Sequence, residues 1–259
     1  MTQIAQTSRI ASYEAAFASS IRALNLETAP RFITALSGGP DSTALACLAN
    51  HYAQSRGKDH MAVIVNHNIR PDATKEAIRV SQRMKNRAID CQILTIQDKA
   101  PETGVQTWAR HQRFDVLTKL ARQRGAVVLV AHHQADQAET VLMRLAHGSG
   151  VVGLAGMRGL TMRDAVLVAR PILDWHADSI FDVLALFDCD YEDDPSNRNS
   201  QFERVQMREF LRNAAASGFP LIDDALRLGR AMRALSSYLD SASSIRWQAA
   251  TCLFPSGHA

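Results

Sequence analysis

Six consecutive residues, Ser37-Gly38-Gly39-Pro40-Asp41-Ser42, separate an apolar run from a stretch rich in Ala and Leu, and their types suit the cradling of phosphate. Glycines let backbone approach an anion closely, and a helix N-terminus offers free amides and a positive dipole end. Pro40 has no amide proton, and its fixed φ suits a first helical turn. Ser37 and Ser42 add hydroxyl donors, and Asp41 could hold Mg²⁺ or a cationic group. No Gly-Lys-Ser/Thr follows, so the loop is not a Walker A motif and lacks the usual apparatus for γ-phosphoryl transfer. A loop that grips β- and γ-phosphates as a leaving group favours attack at the α-phosphate instead.

Other groups stand at helical spacing. Asp136 and Glu139 are three apart and share one face near a helix start, where the dipole favours ionised acids. Such a pair can receive an ammonium group, or remain two solvated first-turn acids. Arg110 and Arg113 share a face that could meet phosphate or nucleic acid, and Arg204 and Arg208 lie one turn apart. Asp194-Pro195-Ser196-Asn197 suits a turn and helix cap as well as a site. Arg227, Arg230 and Arg233 form a stripe that fits nucleic-acid phosphates or a solvated face.

The elements expected to position these residues alternate. Arg9 to Leu26 reads as a helix, Arg31 to Leu36 as a strand, Thr43 to Gln54 as a helix and Met61 to Val65 as a strand. Thr74 to Ala88 is a charged amphipathic helix, followed by strand Cys91 to Ile96, helix Val105 to Arg124, strand Val127 to Ala131 and helix Gln134 to Ala146. Continuously apolar strands alternating with helices predict an α/β fold, a parallel Rossmann-like sheet covered by helices on both faces. In such sheets ligands bind at the carboxyl ends of the strands, so the loops after Leu36, Val65 and Ala131 should converge. Beyond Gly150 come a short strand at Ala165 to Ala169 and helices at Asp178 to Phe187 and about Gln201 to Ala216, while Leu221 to Leu239 and the short tail read as one or two helices. A soft boundary near Gly218-Phe219-Pro220 divides a catalytic domain, 1–217, from a short helical C-terminal appendage, 218–259.

The 259 residues carry a net charge of +3, which permits a polyanionic partner without arguing for one. Cys47, Cys91, Cys189 and Cys252 contain no CxxC pair, and each lies in or beside an apolar stretch, which points to buried, reduced thiols. The N-terminal stretch has no long apolar run, and no stretch of about eighteen apolar residues occurs, so neither a signal peptide nor a membrane span is expected. The expected location is the cytoplasm; oligomeric state is open, with a dimer allowed.

The string at 37–42 matches the SGGxDS signature of the PP-loop ATP pyrophosphatases, whose fold is adenine nucleotide α-hydrolase-like. The run from Ala131-His132-His133 through Asp136, Glu139, Thr140 and Arg144 to Gly148-Ser149-Gly150, Gly153, Leu154 and Met157 resembles the tRNA(Ile)-lysidine synthetase family. So do Ala109-Arg110 to Arg113-Phe114, Arg170-Pro171-Ile172-Leu173, Asp194 to Asn197, and Arg204 to Arg208. Two positions depart from the family: Asn66 replaces the acid of its VDHGLR element, here Val65 to Arg70, and Ala135 stands where Asp is frequent. The resemblance covers roughly Arg31 to Arg212. It implies ATP and Mg²⁺ at Ser37, Gly38, Gly39, Asp41 and Ser42, with His67 and Arg70 also on the nucleotide and Asp41 on the metal. Catalytic roles fall to Asp41, Asp136, Arg110 and Arg113, and substrate binding to His133, Asp136, Glu139, Arg204 and Arg208. The implied partners are free L-lysine and tRNA(Ile) with a CAU anticodon. Cytidine 2-thiolation, which uses CxxC cysteines in this superfamily, and a non-catalytic ATP-binding module are the alternatives.

Overall fold

The computed structural model describes residues 3–69, 71–192 and 203–250, with side chains between 7 and 243 of that set. They fall into two compact units. The first lies within Met1–His133 and Gly159–Asn197, the second within Gln134–Arg158 and Arg198–Ala259. The expected boundary near 218 is not where these units divide, because helices from both sides of it pack on one another in the second unit.

The first unit is built on a six-stranded sheet of order β3-β2-β1-β4-β6-β5. Its strands are β1 (Arg31–Leu36), β2 (Asp59–Asn66), β3 (Cys91–Thr95), β4 (Val127–Leu129), β5 (Leu160–Arg163) and β6 (Val166–Ala169). Strands β1 to β4 and β6 run parallel, with β1 held between β2 and β4; β5 is antiparallel to β6 at the edge. Alternation along each strand feeds two cores. Phe32, Leu36, Ala62 and Ile64 join Phe17, Leu45, Leu48 and Ile180 on one face, while Ile33, Met61, Val63 and Val128 join Phe114 and Leu117 on the other. The first face is covered by helices α1 (Gln3–Ala23), α2 (Pro40–Ser55), α3 (Ala73–Asn86) and α7 (Ala177–Leu186), the second by α4 (Val105–Arg124). The expected α/β class and sheet are thus present.

The expected strand at Ala165 to Ala169 is in fact half of a β5–β6 hairpin. Its two-residue turn, Asp164-Ala165, has φ of 50 and 60, the mirror-image turn geometry that hairpins favour. Ala165 lacks the glycine that signals such a turn in sequence, so no local residue type announces the hairpin. Helix α4 braces it: Arg122 donates to the Asp164 carbonyl at 2.6 Å, and the Thr118 hydroxyl to the Asp164 carboxylate at 3.3 Å.

One buried polar cluster bears on stability. His60 Nε2 lies 2.9 Å from the hydroxyl of fully buried Thr34, and its Nδ1 lies 3.4 Å from Asn50 Oδ1. A neutral ring serves both, with Nδ1–H donating to Asn50 and Nε2 accepting from Thr34. Burial pushes the imidazole pKa down from 6.5 to about 4. The unfolded chain therefore binds this proton more readily. The stabilisation is complete above pH 6.5 and is lost as pH falls from 6.5 towards 4. From this group alone the protein should be about 1 to 2 kcal/mol less stable at pH 5 than at pH 8. Urea unfolding of the wild type and His60→Gln at both pH values checks this; an equal acid loss in the two proteins would count against it.

The second unit comprises α5 (Gln134–Ala146), α6 (Val151–Leu154), α8 (Glu203–Ala216) and α9 (Leu221–Ala250). Ala138, Val141 and Leu142 of α5 pack against Ile222, Ala225 and Leu228 of α9. Arg144 donates to the carbonyls of Gly153 and Gly156 at 2.7 and 3.0 Å, and Gln137 bonds both backbone groups of Met157 at 2.9 and 2.7 Å. Those contacts give the family-like run from Arg144 to Met157 a structural reading. Among the described residues no helix is long and apolar enough to cross a membrane.

Candidate active site

The phosphate-type loop leaves β1 at the point where the sheet changes direction. Connections after β1 and β4 diverge there and leave a crevice outside the strand ends. Gly38 takes φ +89, and Gly39 is the residue before α2, with Pro40 in its first turn. The Ser42 hydroxyl braces the loop: it accepts from the Ser37 amide at 3.1 Å, lies 3.0 Å from the Ser37 hydroxyl and donates to the Gly39 carbonyl at 3.2 Å. The backbone amide of Glu192 donates to the Gly38 carbonyl at 2.8 Å. These bonds preset the loop, so its shape does not wait for a ligand. Sequence reading gave both serines to the ligand; in the structure they also hold each other.

Asp41 and His133 meet in the crevice, with His133 Nε2 3.5 Å from an Asp41 carboxylate oxygen. His133 is buried, while the Asp41 side chain is 40% exposed. Each comes from a different strand end, and only the parallel topology unites them.

A cationic group lies at the other strand ends. Burial, then the charge of Arg113, pushes the His67 pKa down. Burial, then the charge of Arg110, does the same to both Arg113 and Arg170. Repulsion thus links Arg113 to His67, and Arg110 to both Arg113 and Arg170, so three guanidiniums stand near one another beside an imidazole kept neutral, the condition of a site made for an anion. Phe114 supports it: the guanidinium carbons of Arg110, Arg113 and Arg163 lie 5.3, 5.6 and 4.9 Å from its ring centroid. Trp108 packs beside His67 at 6.1 Å. Sequence reading paired Arg110 with Arg113 but gave no role to Arg170, whose signal was its place just after β6. Arg70, Asp194 to Asn197 and Phe202 lie outside the described residues.

Asn66, buried at the end of β2, shapes the loop carrying His67. Its Oδ1 accepts from the Asn68 amide at 2.9 Å, and its Nδ2 donates to the Thr74 hydroxyl at 2.9 Å. Asn68, at φ 52, follows the turn this sets. An aspartate could accept from both donors once the Thr74 hydroxyl rotates. Asn66→Asp should therefore change stability by less than about 1 kcal/mol, measured by thermal unfolding; a loss above about 2 kcal/mol would contradict this turn assignment.

In the second unit Asp136, Glu139, Arg204 and Arg208 form one network. Arg204 Nε and Arg208 Nε reach opposite oxygens of Glu139 at 2.9 and 2.6 Å, and Arg208 also meets Asp136 at 3.2 Å. Glu139 is 2% exposed, and burial, opposed by Arg208, pushes its pKa up. All four expected substrate contacts on this unit thus hold one another: Glu139 with both arginines, and Asp136 with Arg208. Of the α9 stripe, Arg227 pairs with Asp224 and Arg233 reaches the Ala155 carbonyl at 3.3 Å.

Comparison with known proteins bears on the lineage of this arrangement. A family model described as a PP-loop domain matches residues 11–215. Curated relatives named tRNA(Ile)-lysidine synthase include one from Bradyrhizobium diazoefficiens, 39% identical over 84% of this chain and 62% of its own length. Another, from Rhodopseudomonas palustris, is 39% identical over 89% of this chain and 69% of its own. The chain thus spans somewhat under two thirds of the first relative's length. Among solved structures, a U34-tRNA thiolase NcsA from Methanococcus maripaludis superposes with a TM-score of 0.70 at 17% identity, covering 86% of this chain and 80% of that one. An NMN synthetase from Francisella tularensis gives 0.51 at 14% identity, covering 88% and 94%. The structures share the fold, and the sequence matches carry the lineage: the chain belongs to the PP-loop family and, within it, to the tRNA(Ile)-lysidine synthase group.

Proposed function

We propose that the chain forms lysidine on tRNA(Ile) with a CAU anticodon, using ATP and free lysine in the cytoplasm. The observation that carries this reading is the preset loop at Ser37 to Ser42, which lacks a Walker lysine and stands at the sheet's switch point. Gripping the β- and γ-phosphates there exposes the α-phosphate to the C2 oxygen of the wobble cytidine. That oxygen bonds to the α-phosphorus and pyrophosphate departs. The ε-amine of lysine then displaces AMP at C2. Reaching a single base requires its extrusion from the anticodon loop.

Residue roles follow on the same reading. Arg110, Arg113, His67 and Arg170 hold phosphate charge. Asp41 suits Mg²⁺, which binds through one or two carboxylates plus substrate phosphates. The ion, when bound, neutralises charge on the departing pyrophosphate. His133 positions Asp41. Asp136, tied at 3.2 Å where Glu139 is tied at 2.6 Å, is the acid assigned to the lysine amine, with Glu139 positioning it.

The test mixes the chain with radiolabelled lysine, ATP and the tRNA transcript. Labelled tRNA with equimolar AMP and pyrophosphate is expected, and Asp41→Asn should lower the rate about 100-fold or more. ATP binding without tRNA-stimulated pyrophosphate release would make the chain a nucleotide-binding module instead.

A further inference from the structure

Cys47 and Cys189 stand 142 residues apart in sequence, yet their sulfurs lie 2.7 Å from each other, both as free thiols. Cys47 belongs to α2, the helix that the phosphate loop opens. Cys189 precedes the short strap Asp190-Tyr191-Glu192, which runs back to that loop. Glu192 donates its amide to the Gly38 carbonyl at 2.8 Å, and its carboxylate meets Arg83 at 2.9 Å and Arg79 at 3.4 Å on α3. The two thiols therefore sit on the two segments that hold Gly38.

We propose that Cys47 and Cys189 are a modification site at which a peroxide closes a reversible disulfide, fastening the strap to α2. Their contact is already shorter than two unbonded sulfurs keep, so bond formation needs little movement. The pair is also chemically unequal. The hydrogen bond between the two sulfurs lowers the Cys189 pKa against burial, with the Arg87 guanidinium adding to the effect; the same hydrogen bond, then burial, raises Cys47. Arg87 is fixed nearby by its 2.7 Å bond to the Phe187 carbonyl. Cys189, at 7% exposure against 3% for Cys47, is also the sulfur nearer solvent.

The Cys189 thiolate attacks one oxygen of hydrogen peroxide, giving a sulfenic acid and hydroxide. Cys47 then attacks the sulfenic sulfur, the S–S bond forms and the second oxygen leaves. Over both steps two thiols and one peroxide become one disulfide and two waters, so two electrons pass from sulfur to oxygen. A thiol reductant reverses the change.

The experiment treats the reduced full chain with equimolar hydrogen peroxide and maps the product by mass spectrometry. A loss of about 2 Da, a peptide linking Cys47 to Cys189, recovery with dithiothreitol and a thermal midpoint higher by roughly 5 °C are expected. In Cys47→Ala the reaction should halt at a Cys189 sulfenic acid trapped by dimedone, whereas Cys91→Ser should leave the disulfide intact. Oxygen added to other cysteines first, oxygen on Cys189 of the wild type without a link, or no reaction would each overturn the proposal. The wild-type map decides even if a variant fails to fold.

Discussion

Gly38→Ala is expected to lower stability by about 3 kcal/mol and pyrophosphate release about 100-fold or more. Two costs add at this position. A side chain at φ +89 leaves the allowed regions of L-residues, and a Cβ there would stand 2.8 Å from Cγ2 of Val80. Val80, on the buried face of α3, is part of the core and cannot rotate away cheaply. The loop must shift instead, which breaks the bond from Glu192 and displaces the loop's amides from their preset places. Gly148→Ala separates the two costs, since Gly148 has φ +69 but nothing within 4 Å of the added carbon. It should lose about 1 kcal/mol, the conformational part alone. Adding Val80→Ala to Gly38→Ala should relieve the overlap but not the strain. Urea unfolding of the three variants reads the energies, and a Gly38→Ala protein as stable as wild type would show that the loop is not fixed as described.

Glu139→Ala should cost about 3 kcal/mol, the second large effect. The carboxylate accepts from both Arg204 and Arg208 and is itself buried, so its loss leaves two guanidiniums facing a cavity. Their side chains are 38% and 42% exposed, and hydration of their outer atoms keeps the cost from rising further. Glu139→Gln keeps the shape without the charge and should lose about half as much. Apolar replacement of all four residues, Asp136→Leu and Glu139→Leu with Arg204→Met and Arg208→Met, should recover much of the stability while abolishing any ligand role. A cost below about 1 kcal/mol for Glu139→Ala would mean that the acid is not a structural partner of the arginines, and would favour a direct contact between Glu139 and lysine.

These two predictions fall on different sides of what the chain discloses by its order of residues. The strand–loop–helix at Arg31 to Ser55 was legible because its signals are local: an apolar run, two glycines and a proline whose ring suits a first turn. Val105 to Arg124 and Gln134 to Ala146 were likewise legible to their ends, since Gly104, Gly125 and Gly148 punctuate the pattern. The β5–β6 hairpin was not, because Asp164-Ala165 adopts left-handed backbone without a glycine to announce it. Nor was the single long α9, for which Leu221 to Leu239 gave helical spacing without deciding between one helix and two.

Sequence alone determined the phosphate-type loop, the α/β alternation and the acids and arginines at helical spacing, because each depends on neighbours within a few residues. Tertiary structure decided who meets whom. It brought Asp41 to His133, gathered His67 with Arg110, Arg113 and Arg170, turned Arg204 and Arg208 onto Glu139, and set Cys47 against Cys189. Those pairings join positions tens of residues apart or more, and their partners are chosen by strand order and helix packing, which no local spacing encodes.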